Sequence, residues 1–226
     1  MINRLFITAL LLCLFPVAAA FGQELRQEKL KGILTQQNAN AQGQFYAVFY
    51  SNGMPESAIW PLGMKLIVKD ANNNTSTIRH TESKGNGENI AVNDKVPYRF
   101  IIAPKDGGDT PVTWAEAMGL STEENGRLSA DGTLALTGCA AYETPQFKDG
   151  WRLPTQREMM LMWLFKKGIN ETYSGEPLTE NEYWTATEVK DGGGSTAWFM
   201  SVSGTNPQMK TAKKSLQKRY RCVRDY

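Results

Sequence analysis

Apolar and polar positions divide this chain into stretches of different texture. Leu5 to Phe15 is an almost unbroken apolar run behind a single cation, Arg4; Pro16 breaks it and Ala18, Ala19 and Ala20 follow. That pattern predicts a secretory signal over residues 1–22, with an apolar run too short to hold a bilayer as a stable anchor. Cys13 raises the possibility of lipidation, but Leu12 stands where a lipobox wants a small residue. Residues 23–44 are polar. Leu25, Leu30, Ile33 and Leu34 recur at near-helical spacing, which predicts a short surface helix or tether, and Asn38 to Gln44 reads as a linker. Three apolar runs rich in aromatic and β-branched residues then predict buried strands: Phe45 to Tyr50, Met64 to Val68 and Tyr98 to Ala103. Turn-rich segments separate them, Asp70 to Ser76 and Ser83 to Asn89. Residues 45–94 are expected to form a small β-rich subdomain.

From residue 95 onward helix signals appear. Thr113 with Glu116 and Thr155 with Glu158 are two capping boxes, in which the threonine oxygen accepts from a backbone N–H and the glutamate reaches back. The second predicts a helix from about Gln156 to Lys167, with Gly168 as its stop. Met159 to Phe165 is apolar almost all round, which predicts burial on most sides. Further strands are expected at Tyr183 to Glu188, Thr196 to Val202 and Arg219 to Arg224, the first two joined by a hairpin at Gly192 to Gly194.

Composition narrows the picture. The chain has 226 residues, 41% hydrophobic and 21% charged, so it can bury a core and is not disordered throughout. Its net charge of +2 argues against a general nucleic-acid binder. No other stretch is apolar enough to span a membrane. Removal of the signal leaves two cysteines, Cys139 and Cys222. In an oxidising compartment such a pair reads as a disulfide; the alternative is a redox thiol, for which no CxxC or nearby histidine speaks. A bridge closing a loop of about eighty residues stabilises by about 4 kcal/mol at most. The lone histidine, His80, has no metal-ligand neighbours, and no metal site or cofactor is expected.

The order of several blocks carries a resemblance. They are Thr113-Trp-Ala-Glu-Ala117, Cys139-Ala-Ala-Tyr142, Trp151-Arg-Leu-Pro-Thr155 with Glu158, Tyr183-Trp-Thr-Ala-Thr-Glu188, Ala197-Trp198 and Arg221-Cys-Val-Arg-Asp225. The chain from about residue 95 to 226 resembles the Lcl C-terminal domain family, named after a collagen-like bacterial adhesin, and the related Fisump-like domains. The resemblance implies an α+β, C-type-lectin-like fold in an exported bacterial protein, with adhesion or glycan binding in some members. A long insert between Trp114 and Cys139 departs from the pattern, and residues 23–94 lie outside it.

Chemistry candidates are few. Formylglycine-generating enzymes use a related fold but need a dedicated cysteine pair, and this chain offers only Cys222 in that region. Glu176-Pro177 resembles the start of the Glu-Pro-Asn motif of calcium-dependent sugar sites, yet Leu178 has no ligand oxygen. Asp70 to Asn74 has the spacing of half an EF-hand loop, without its glycine or closing glutamate, and reads as a polar turn. Trp114, Trp151, Trp163, Trp184 and Trp198 are read as mainly core. The C-terminal run is more informative: Lys210, Lys213, Lys214, Lys218, Arg219, Arg221 and Arg224 are offset locally by Asp225 alone. Lys210, Lys213, Lys214 and Lys218 are therefore candidates for binding a polyanionic polysaccharide; the competing reading is a solvated loop with an outward strand face that blocks edge pairing.

The expectation is thus an exported, non-enzymatic protein of the periplasm or bacterial cell surface. It would bind a glycan or matrix partner through the loops near 171–182, 190–195 and 204–218. The alternative is an accessory subunit of a surface assembly such as a pilus, contacting protein partners by strand addition.

Overall fold

The computed structural model describes residues 23–30, 44–55, 64–69, 75–80, 95–119, 137–189, 195–203 and 206–226. The expected signal, the linker up to its last residue, Gln44, which opens a strand, the half EF-hand spacing at 70–74 and the glycine hairpin at 192–194 lie outside these. The class is α+β. Strands β1 (Gln23–Leu30), β2 (Gln44–Pro55), β5 (Lys95–Ile102), β6 (Trp151–Arg152) and β10 (Val223–Asp225) form one antiparallel sheet in the order β1-β2-β5-β10-β6. β7 (Glu182–Glu188), β8 (Thr196–Ser203) and β9 (Asn206–Lys213) form a second, and β3 (Met64–Lys69) pairs with β4 (Thr75–His80) in a separate ladder.

The aromatic run in β2 is explained by burial on both faces. Successive strand side chains alternate between faces. Tyr46, Val48 and Tyr50 enter one core with Trp114, Trp151, Trp184 and Cys222. Ala47 and Phe49 enter the other, with Met159, Met162, Ile169, Tyr173 and Tyr183. Opposite them on β5, Phe100 stacks on Phe49 at 5.0 Å between ring centroids. The sheet therefore crosses the boundary expected at 94/95: β2 is a central strand of the same core that holds the C-terminal half.

Two further expectations are corrected. Residues 23–30 form an edge strand, not a helix or tether, paired with β2 along its length. Its alternate residues serve opposite faces: Leu25 packs against the second core, while Glu28 accepts a hydrogen bond from the Tyr50 hydroxyl at 2.7 Å. A neighbouring strand edge outweighs a weak helical spacing. Likewise Asn206–Lys213, expected as loop, is the strand β9.

The helices are short: α1 (Trp114–Met118), α2 (Gln156–Leu164) and α3 (Lys166–Thr172), with a 3-10 turn at Cys139–Ala141. Both capping boxes are present. The long helix expected to stop at Gly168 instead breaks at Phe165 (φ −100°, ψ 14°), and Gly168 lies inside α3. A Cβ on Gly168 would come 2.8 Å from Leu25 Cδ2, so that residue lets α3 approach β1. Nor is α2 buried on most sides. Met159 and Met162 are inside, whereas Met160 is 48% and Leu164 73% exposed.

Candidate functional site

The frame that positions the surface is built by the residue blocks of the C-terminal half. Trp114, Trp151 and Trp184 are wholly buried, and each indole N–H donates to a backbone carbonyl. Trp114 reaches Thr185 at 2.7 Å, Trp184 reaches Val112 at 3.0 Å, and Trp151 reaches Phe147 at 3.1 Å. The first two bonds lock the start of α1 to β7 from both directions. Cys139 and Cys222 are bridged, with Cα atoms 5.5 Å apart. The glycine before Cys139 is required: at Gly138 (φ +60°) a Cβ would lie 1.9 Å from the Glu116 carbonyl.

A buried charge network explains the Trp-Arg-Leu-Pro-Thr block. Arg152 donates two bonds of 2.7 Å to the two Glu158 carboxylate oxygens and one of 2.6 Å to Asp225 Oδ1. Glu158 also accepts from the Thr155 N–H at 2.7 Å and from the Tyr98 hydroxyl. One glutamate thus caps α2 and holds a fully buried guanidinium. Burial pushes the Glu158 carboxyl well above the usual carboxylate range, the Asp225 charge adds to the shift, and the Thr155 backbone bond opposes it. These contacts tie the α2 start to β5 through Tyr98 and to β10 through Asp225.

The basic C-terminal run resolves differently from its sequence. Lys214 is buried: its ammonium donates to Glu188 Oε1 at 2.6 Å and lies 4.0 Å from the Trp114 ring centre. Lys218 is buried too, bonded to Glu182 Oε2 at 2.5 Å and 3.8 Å from the Phe199 ring centre. Arg219 and Arg221 face Asp106, and Arg224 faces Asp149. Lys214 and Lys218, expected on a polyanion-binding surface, are thus structural cations inside the fold. Lys210 and Lys213 are exposed on β9, the outer strand of the second sheet, and form no ion pair with a described residue. Strand alternation places them on opposite faces of that edge.

The third feature joins part of the expected 171–182 loop to residues 105–109, which the sequence did not mark. Arg221, almost wholly buried, donates through Nε to Asp106 Oδ1 at 2.8 Å and through Nη2 to the carbonyls of Glu176 and Pro177 at 3.0 and 3.1 Å. Asp106 Oδ2 accepts from the Tyr183 hydroxyl at 3.2 Å, and that hydroxyl lies 3.0 Å from Thr179 Oγ1. Burial, with the Asp106 charge behind it, raises the Tyr183 phenol above its ordinary value and keeps it a donor. A cleft of about 200 Å3 opens between these two loops. Leu178, at the third place of the Glu-Pro-Leu sequence, is buried, and its N–H donates to Asn170 Oδ1 at 2.8 Å. A larger cleft, about 480 Å3, lies beside Tyr142, Glu116 and Tyr220. No cluster of three or more metal-ligating side chains occurs among the described residues. No family model matches the chain, and no curated protein matches it.

Proposed function

We propose that this is an exported, non-enzymatic binding protein that recognises an anionic glycan or matrix partner at the surface of a bacterial cell. The observation that carries the reading is the sorting of the C-terminal cations. Lys214, Lys218, Arg219, Arg221 and Arg224 are matched by carboxylates, and Lys210 and Lys213 are left exposed on an edge strand. A polyanion would straddle that edge and be held by salt-sensitive attraction. The bridged cysteine pair fits an oxidising compartment. No helix among the described residues is long and apolar enough to cross a membrane. The ordered sequence blocks support a lectin-like variant of the α+β class, because the tryptophans, the cap and the bridge they supply all meet in one frame.

A glycan panel that includes sulfated and uronic-acid polysaccharides tests this. The expected result is specific binding that survives chelator, weakens in moderate salt and is lost in the Lys210→Glu/Lys213→Glu double variant. Binding that is absent, or unchanged in the variant, counts against it. A second reading is an accessory subunit of a surface assembly such as a pilus. It is favoured by β9 itself, whose outer edge pairs with no described strand and could accept one from a partner. Recovery of a protein partner with no glycan bound would select it.

A further inference from the structure

The cleft between residues 105–109 and 176–181 has the construction of a binding site, and its floor is rigid. A single guanidinium, that of Arg221, ties Asp106 on one wall to the Glu176 and Pro177 carbonyls on the other. The Thr179–Tyr183–Asp106 chain ties the same walls a second time. The rim is different. The side chains of Lys105, Asp109 and Glu176 line the cleft and make no hydrogen bond or ion pair with described residues. Asn181 donates its amide N–H to Thr179 Oγ1 at 2.7 Å, which leaves its amide oxygen directed elsewhere. Arg219 reaches Asp106 at 3.5 Å and is 31% exposed. A preorganised floor with unbonded donors and acceptors around it lowers the cost of taking up a ligand.

The chemistry of the ligand follows by exclusion. Asp109 and Glu176 repel an anion. Lys105 and Arg219 repel a metal ion. Pro177 and Gly108 supply too little apolar wall for an aromatic guest. A neutral hydroxyl-rich ring meets none of these objections, because each hydroxyl can donate to a carboxylate and accept from an ammonium or guanidinium at once. We infer that this cleft binds one neutral sugar ring, independently of metal. The inference rests on the glycan-binding reading and adds to it a second contact, distinct from the lysines of β9.

The test is saturation-transfer NMR on the purified protein in chelator, with methyl glucoside, methyl mannoside, methyl galactoside and methyl N-acetylglucosaminide as probes. At least one should bind saturably and equally in low and moderate salt. Asp109→Ala and Glu176→Ala should each weaken that binding about tenfold, the loss expected for one charge-assisted hydrogen bond. Their melting temperatures should not change, since both carboxylates are exposed and bond to no described residue. The Lys210→Glu/Lys213→Glu variant should bind the sugar as before. Silence from all four sugars, or binding indifferent to Asp109 and Glu176, overturns the inference. Retention of a sulfated glycan through Lys210 and Lys213 with the four sugars silent would overturn it alone and leave the first reading standing.

Discussion

At the scale of residues, the buried charges carry most of the specificity. Arg152 is held by Glu158 in a bidentate pair and by Asp225. Glu158→Ala removes a helix cap and half the compensation of a buried guanidinium at once. It should destabilise the protein by about 3–5 kcal/mol, the range for breaking a buried pair. Thr155→Ala, which loses only the cap, should lose about 1 kcal/mol; chemical denaturation of both variants checks the ratio. The Thr-x-x-Glu spacing was legible because a capping box is local. The Arg152–Asp225 pair was not, because it joins positions 73 apart. The lysines give the same lesson in reverse. The run from Lys210 to Arg224 reads as a cationic patch only while its partners are unknown. Glu188, Glu182, Asp106 and Asp149 arrive from 26 to 115 residues away and pair with five of its members, Asp106 being shared by Arg219 and Arg221.

At the scale of elements, strands with buried apolar runs were legible, the edge strand β7 among them, and the polar edges β1 and β9 were not. β2 and β5 carry continuous apolar runs because both faces are covered. β1 and β9 are polar, with most of their described side chains in solvent, so their sequences record little of the pairing. The α2–α3 break at Phe165 is equally silent in the apolar pattern. Hydrogen exchange tests the edge assignment: amides of Gln23–Leu30 that point at β2 should be protected together with those of β2, whereas a helix or free tether would exchange without that coupling. The bridge acts between elements too, joining the 3-10 turn at Cys139 to the segment leading into β10. Cys139→Ser should lower the melting temperature substantially, by up to about 4 kcal/mol of stability. An unchanged melting temperature would remove the bridge from the account.

At the scale of the whole molecule, two cores on either side of one sheet bury most of the tyrosines with their hydroxyls bonded. Desolvation raises the phenols of Tyr46, Tyr173, Tyr183 and Tyr220, and lifts Tyr50 and Tyr142 to about 12. A folded-state value above the unfolded one, about 10, contributes stability that is intact below pH 10 and lost as pH rises beyond it. Melting temperature should therefore be flat with respect to these groups up to about pH 10 and fall above it. Phenolate absorbance from the buried rings should appear together with unfolding and not ahead of it. Its appearance ahead of unfolding would contradict the double core. The same interior takes in Lys214, Lys218 and Arg221, and Lys210 and Lys213 stand exposed on the edge of β9, the basic feature on which the functional reading depends. The most direct test is affinity for a sulfated polysaccharide, measured for the wild-type protein and for Lys210→Glu/Lys213→Glu at equal melting temperature. The account predicts saturable, salt-sensitive binding that the double variant abolishes; equal binding by both proteins, or none by either, would contradict it.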